Sequence, residues 1–215
     1  EHNVHIISDP TEIDIDGVLI DLFPWICRDN EKETKELIKK SKSRIAFGHL
    51  ELYGFDMYRG MPNNHGLDPK IFSKYQFVGS GHYHTKSASG NIYYLGAPYD
   101  LTWHDYGDDR GFHIFDTDTC NLEYIVNPYR MYQKIYYDDH NKTFDTVMKC
   151  DYEKYKNCII KVVVKNKDNP LWYDTFIENF EKVGVNEITA VDAHMNLDMN
   201  TDEELISEIL ILLTI

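Results

Sequence analysis

Apolar residues recur along the first 128 residues in short runs of the length typical of β-strands. A glycine-containing dipeptide, Asp16-Gly17, separates two of these runs. Both positions of such a dipeptide tolerate positive φ, so it favours a tight hairpin between the flanking strands. The pattern therefore predicts strands at 4–7, 12–15, 18–23, 44–47, 77–79, 92–95, 112–115 and 122–126.

Helical patterns interrupt these strands at two places. Asn30 is placed to cap residues 31–40, which are acidic at the start and basic at the end, as a helix dipole favours. Asp68-Pro69 begins a short second helix. Between them, residues 51–67 lack a period and contain glycines and a proline, which predicts a long, functional loop. Strands alternating with helices predict an α/β layered core.

The chain is predicted to divide into domains 1–128 and 129–215, at Asn127-Pro128. The second part has strand patterns near 132–137, 158–164 and 187–191, a helix opened by Asn169-Pro170, and a helix from Thr201 to the end. These elements predict a small α+β domain. The last helix turns apolar on all sides, which favours either burial or a natural chain that continues past residue 215.

Composition excludes several classes of protein. With 42% hydrophobic and 13% aromatic residues the chain can bury a core, so it is neither disordered nor collagen-like. No apolar run spans a membrane and no signal pattern begins the chain, so we expect a cytoplasmic protein. The four cysteines form no C-x-x-C pair and are expected to be reduced core thiols. The net charge of -14 opposes nucleic-acid binding, but bound divalent cations would reverse the field in one cleft.

Three histidines have contexts that favour metal binding: His49 after Gly48, and His82 and His84 in Gly81-His82-Tyr83-His84. Residues i and i+2 of an extended segment project to one side, and neighbouring glycines allow a sharp turn. Imidazole is a common ligand of divalent first-row metals. For an isolated H-x-H, loop histidines bonded to the backbone are an equally weighted alternative. His113 lies within a strand pattern and is predicted to be structural.

Taken together, four segments resemble the second half of a calcineurin-like metallophosphoesterase: Gly48-His49, residues 81–84, residues 94–98 and residues 110–112. Residues 16–25, 48–55 and 110–117 are similar, more narrowly, to the nuclease subunits of double-strand-break repair, including those of tailed-phage recombination endonucleases. The resemblance implies the second half of a layered metallophosphoesterase β-sandwich flanked by helices over 1–128. Residues 129–215, which resemble the family more loosely, would form a small capping domain that positions DNA.

The resemblance also implies a function, cofactors and partners. It implies a subunit of a metal-dependent DNA endonuclease and exonuclease of phage recombination, repair and replication. This subunit would form a homodimer and act with an ATPase that carries a coiled coil. Two divalent ions, Mn²⁺ with Mg²⁺ as the alternative, would be held by His49 and His82 on one ion and His84 on the other. The DNA contacts predicted are Tyr53, Arg59, Asn64, His65 and His104.

The family's remaining metal ligands and its proton-donor histidine have no match in this chain. We therefore expect a fragment that lacks half of the active site, has no catalytic acid of its own and is inactive alone. An exposed sheet edge is expected to make it associate. Two alternatives remain open. One is a phosphomonoesterase or cyclic-nucleotide phosphodiesterase of the same superfamily, and the other is a metal-free scaffold in which the three histidines are dispensable.

Overall fold

The computed structural model describes residues 4–58 and 60–193 and divides the chain into two compact units between Tyr129 and Arg130. The sequence predicted this boundary one residue earlier. Each unit has a hydrophobic core of its own.

The first unit is built mainly of strands. In chain order its elements are β1 (Thr11–Ile15), β2 (Val18–Phe23), α1 (Glu31–Lys40), β3 (Ile45–Gly48), β4 (Asp56–Tyr58), β5 (Met61–Pro62), β6 (Phe77–Ser80), β7 (Ser87–Ser89), β8 (Ile92–Tyr94), β9 (Gly111–Asp116) and β10 (Asn121–Val126). Two 3₁₀ turns, Pro69–Phe72 and Trp103–Asp105, lie between strands.

Six of these strands form one mixed sheet in the order β1-β2-β3-β6-β8-β7. Its four central strands, β2, β3, β6 and β8, run parallel, and β1 and β7 pair antiparallel at the two ends. The predicted hairpin is confirmed: β1 pairs with β2, and both Asp16 and Gly17 have positive φ, 51° and 88°. The α/β class is confirmed at this level, while the metallophosphoesterase layout stays a prediction.

Apolar residues cover both faces of the six-stranded sheet. On one face, Ile38 of α1 and Phe72 of the first 3₁₀ turn belong to the same core as Ala46 and Val78. On the other face, Phe115 of the two-stranded sheet β9-β10 packs on the rings of Phe47 and Phe77, with centroid distances of 5.5 and 4.2 Å. This unit therefore has three layers, one helical and two of sheet.

Some predicted elements of the first unit differ in the structure. Residues 4–7 are not a strand, and among the described residues no strand pairs with them. The 51–67 segment, predicted to be a loop, contains the β4-β5 hairpin and is closed by a bridge between Leu52 and Leu67. Helix α1 begins and ends where predicted, but the Asn30 side chain makes no cap hydrogen bond. It accepts from the Cys27 amide and donates to the Trp25 carbonyl instead.

The second unit contains a three-stranded, fully parallel sheet. Its elements are β11 (Tyr132–Asp138), α2 (Phe144–Val147), a 3₁₀ turn (Tyr152–Tyr155), β12 (Ile159–Asn166), α3 (Pro170–Val183) and β13 (Glu187–Asp192). Parallel neighbours need crossover connections, which the helical segments supply, so this unit is α/β rather than the predicted α+β. The helix predicted from Thr201 lies outside the described residues.

Two smaller predictions concern membranes and cysteines. Within residues 4–58 and 60–193 there is no helix long and apolar enough to cross a membrane. All four cysteines are free thiols, but only Cys158 is buried, and Cys27 is exposed. The prediction of free thiols is confirmed. Their predicted place in the core is wrong for Cys27, whereas the half-buried Cys120 and Cys150 pack against the hydrophobic cores.

Candidate metal centre

The candidate residues gather at the carboxyl edge of the parallel strands. Trp25 follows β2, His49 follows β3, and His82 follows β6, strands that are neighbours in the sheet. In open α/β sheets this edge is where ligands bind, because loops from adjacent strands diverge there.

His49 and His82 are in direct contact. The His49 Nε2 and His82 Nδ1 atoms lie 3.2 Å apart, and the ring centroids 5.1 Å apart. His49 is exposed and His82 half-buried, so the pair stands at the surface. His82 has a φ of 82°, which is unusual for a residue with a Cβ. Such strain persists only where the surrounding structure enforces it, and it is enriched at functional sites.

Gly79 and Gly81, near this pair, allow close packing and do not form the turn. Gly79 and Gly81 are not among the positive-φ residues, so the turn expected at the glycines occurs at His82 itself. A Cβ on Gly81 would lie 3.2 Å from His49 Nδ1, and one on Gly79 would lie 2.6 Å from the ring of Phe47. These two glycines therefore allow the β3 and β6 ends to approach each other closely.

Buried hydroxyls fix the backbone around the pair. Ser80 accepts a hydrogen bond from the Leu50 amide and donates one to the Gly81 carbonyl, both at 3.0 Å. The hydroxyl of Tyr94 donates to the Leu50 carbonyl at 2.9 Å and accepts from the Leu52 amide at 3.1 Å. Ser80 and Tyr94 are almost fully buried. The segments that carry His49 and His82 are thus tied together by the core.

The environment favours a neutral imidazole at His82. Burial lowers the pKa of His82 below its ordinary value, and the adjacent His49 lowers it further, whereas Glu51 acts in the opposite direction. A neutral imidazole offers a lone pair to a metal ion, while a protonated one does not.

His84 has contacts of its own. Its Nδ1 is 3.5 Å from Oδ1 of Asp105, which also accepts from the buried Arg110 at 2.8 Å. Burial opposes the ionisation of Asp105, but hydrogen bonds from His84 and the amides of Leu101 and Thr102 outweigh it and lower the pKa to about 2. His84 thus contacts Asp105, whereas His82 contacts His49 and Trp25. The expectation that His82 and His84 face one cleft stays a prediction.

The donor atoms fit part of a metal site. Two nitrogens 3.2 Å apart match the separation of neighbouring ligands that each lie about 2.1 Å from one ion. Among the residues that the structure describes, no group of three or more His, Cys, Asp or Glu is assembled to hold a metal. The His49-His82 pair can thus supply two ligands, and a complete centre needs anionic oxygens from elsewhere.

The structure places most of the predicted DNA contacts on the surface. Tyr53, Asn64 and His65 are exposed, and His104 is half-buried in the 3₁₀ turn next to Asp105. The 51–67 segment is linked to the histidines through Asn63, which donates to the Tyr83 hydroxyl at 2.7 Å. Arg59 lies outside the described residues.

Three residues of this region were not recognised from the sequence as part of the site. The Trp25 ring lies 6.0 Å from that of His49 and 4.8 Å from that of His82, and it is 49% exposed. Asp105 and Arg110 adjoin His84. Trp25 lies far in sequence from Asp105 and Arg110, and only the fold brings these residues to the histidines.

Two comparisons with known proteins bear on this chain. No protein-family model matches it. It is 37% identical over 204 residues to exonuclease subunit 1 of Enterobacteria phage T4, an alignment that covers 94% of this chain and 57% of that protein. The predicted closeness to a phage nuclease subunit is confirmed. The chain spans a little over half the length of this relative.

Proposed function

We propose that this chain is part of the nuclease subunit of a phage recombination and repair enzyme, a metal-dependent DNA phosphodiesterase of the calcineurin-like class. The observation that carries the proposal is the contact between His49 and His82 at the carboxyl edge of the sheet. The T4 relative, whose name is that of an exonuclease subunit, supports nuclease chemistry.

Each histidine has a distinct part in the proposed site. His49 and His82 would hold one divalent ion and His84 a second, with Mn²⁺ preferred to Mg²⁺. Such ions supply an activated water and stabilise the charge that develops on a scissile phosphodiester. The chain itself keeps the imidazole of His82 neutral by burial and locks both histidine segments through Ser80 and Tyr94.

Trp25 lies against this centre, and the 51–67 segment is linked to it through Asn63 and Tyr83. The indole of Trp25 shields one side of the two imidazoles from water, since its ring lies against both. Exposed Tyr53, Asn64 and His65 would meet DNA, together with Arg59 and His104. With acidic residues in excess, DNA binding would rely on the ions to neutralise phosphates.

The remaining proposals concern the whole protein. The natural subunit would form a homodimer, act with an ATPase bearing a coiled coil, and work in the host cytoplasm. Residues 1–215 alone would not cut DNA, because no stretch of the sequence resembles the family's remaining metal ligands or its proton-donor histidine. The second unit would cap the site and position DNA.

The test is nicking of supercoiled plasmid by the natural full-length protein in Mn²⁺. His49→Ala and His82→Ala should each reduce nicking by about 100-fold or more, because even the outer partners of metal ligands are worth about 10–100-fold. His140→Ala is the matched control, since His140 is exposed and pairs with Asp168 in the second unit. Unchanged nicking in both variants would contradict the assigned role of the two histidines, and absence of nicking and of ester hydrolysis by the native protein would point to the scaffold. Hydrolysis of p-nitrophenyl phosphate without nicking would point to a phosphomonoesterase.

A further inference from the structure

Arg110 is a buried cation whose contacts converge on His84. Its side chain is 1% exposed, and Nη1 donates to the His84 carbonyl oxygen. Nη2 donates to Asp105 Oδ1 at 2.8 Å and lies 3.5 Å from Asp108 Oδ2. Burying a guanidinium is costly unless it is paired and hydrogen-bonded, so these contacts determine where Arg110 can lie.

The backbone of His84 is held from a second direction. Its carbonyl oxygen also accepts from the Ala97 amide at 3.0 Å. A Cβ on Gly96 would lie 3.0 Å from the same oxygen, and the φ of Gly96 is 73°. Two of the segments that carry the family resemblance, residues 94–98 and 110–112, thus meet at one carbonyl group.

Asp105 is fixed independently of His84. Its Oδ2 accepts from the amides of Leu101 and Thr102 at 2.7 and 3.0 Å, and its Oδ1 accepts from Arg110. The same Oδ1 faces His84 Nδ1 at 3.5 Å. That separation exceeds the about 2.7–3.2 Å of an ordinary N–H···O hydrogen bond, so a rotation of the imidazole would be needed to form one. Asp105 can therefore orient the ring without moving itself.

We propose that Asp105 and Arg110 are positioning residues that present His84 for ligand binding. Arg110 holds its backbone, and Asp105 keeps the ring proton on Nδ1, which leaves Nε2 with its lone pair. Metal-binding histidines commonly donate their other ring N–H to a carboxylate, which fixes both tautomer and orientation. The inference rests on the proposed function, because it assumes that Nε2 of His84 binds an ion.

The test is the tautomer of His84, read from long-range ¹H–¹⁵N correlation spectra of the ¹⁵N-labelled 215-residue chain. At pH 8 ordinary imidazoles are neutral, so the tautomer is directly visible. We expect His84 as the Nδ1–H form in the native chain. In Asp105→Asn the amide NH₂ can turn towards His84, so the Nδ1–H form should be lost. A native His84 in the Nε2–H form would overturn the proposal, whether or not the variant folds.

Asp108→Asn is the matched control. Asp108 also lies near Arg110 but bonds Thr85 rather than His84, so this variant should leave the tautomer unchanged. An unchanged tautomer in a folded Asp105→Asn variant would contradict the role of Asp105. Arg110→Lys should shift the His84 backbone amide and carbonyl resonances, and their constancy in a folded variant would contradict the role of Arg110.

A second readout separates this inference from the proposed function. In the full-length protein, Asp105→Asn should weaken Mn²⁺ binding by about 10–100-fold in calorimetry, and Asp108→Asn should not. Absence of Mn²⁺ binding in the native protein would contradict the nuclease proposal, while the Nδ1–H tautomer of His84 would still support its positioning. Mn²⁺ binding by the native protein together with an Nε2–H tautomer of His84 would support the nuclease proposal and contradict the positioning of His84 by Asp105.

Discussion

At the scale of single residues, the candidate site depends on the close contact between the imidazole rings of His49 and His82. The family resemblance implied that His49 and His82 share one metal ion, and the structure places their ring nitrogens 3.2 Å apart. The sequence alone could not show that His82 adopts a positive φ, because the neighbouring glycines are the residues expected to do so. The sequence also could not show that Trp25 contacts His49 and His82, because this contact depends on β2, β3 and β6 being neighbours in the sheet.

Gly81→Ala should disturb the site without unfolding the chain. The new Cβ would lie 3.2 Å from His49 Nδ1, so the imidazole must move by a few tenths of an ångström. We expect shifts of the His49 ring resonances in NMR spectra. Gly90→Ala is the control, since its Cβ would meet no atom within 4 Å and only its φ of 59° is strained. Identical His49 shifts in the two variants would contradict this packing role of Gly81.

His82 should make the chain less stable in mild acid. Its pKa is lowered in the folded state, mainly by burial and then by His49. The unfolded chain therefore takes up a proton first as the pH falls below about 6.5, and folding loses stability from there down to the folded pKa. Urea unfolding at pH 7 and pH 5 should show a smaller loss for His82→Gln than for the native chain. An equal loss of stability in the native chain and the His82→Gln variant would contradict a lowered pKa of His82 in the folded state.

At the scale of elements, the sequence predicted those helices and hairpins that are formed by residues close together in the chain. The β1-β2 hairpin, α1 and the start of α3 follow from turn, dipole and proline signals. The β4-β5 hairpin was missed because its strands are only three and two residues long and too short for a period. Residues 4–7 have a strand pattern, but pattern alone does not provide a pairing partner.

Asn169 and Asn30 should respond differently to the same substitution. Both were predicted as helix caps, but only Asn169 bonds an amide of its helix, that of Trp172 at 3.3 Å. Asn169→Ala should therefore lower the unfolding free energy of the second unit by about 1 kcal/mol. Asn30→Ala should instead alter the Trp25 loop, whose carbonyl it binds, and shift the fluorescence of Trp25. Denaturation curves and emission spectra of both variants measure this, and a reversed pattern would refute it.

At the scale of the whole chain, the sequence located the division into two units more accurately than it described the second unit. A Pro-containing break predicts a boundary by itself, but strand direction depends on how distant segments pair. The parallel pairing of β11, β12 and β13 therefore became visible only in the structure. The same limit applies to the carboxyl edge of the first sheet, where the parallel strands β2, β3 and β6 lead to Trp25, His49 and His82.

Because each unit has its own hydrophobic core, we expect the two units to unfold independently of each other. Phe180 is fully buried in the core of the second unit, so Phe180→Ala should destabilise that unit by about 3–5 kcal/mol. The ring resonances of His49 and His82 in the first unit should keep their native positions under conditions where the second unit begins to unfold. Leu171→Ala, at a residue 76% exposed, is the control. Simultaneous loss of both sets of signals would show that the units unfold together.

The central claim is that His49 and His82 together bind a divalent ion at the carboxyl edge of the sheet. The most direct measurement is addition of small amounts of Mn²⁺ to the natural full-length protein while the imidazole resonances of the histidines of this chain are recorded. Paramagnetic broadening should reach His49 and His82 first, then His84, and His140 last. Broadening that begins at His140, or that leaves His49 and His82 sharp, would contradict the claim.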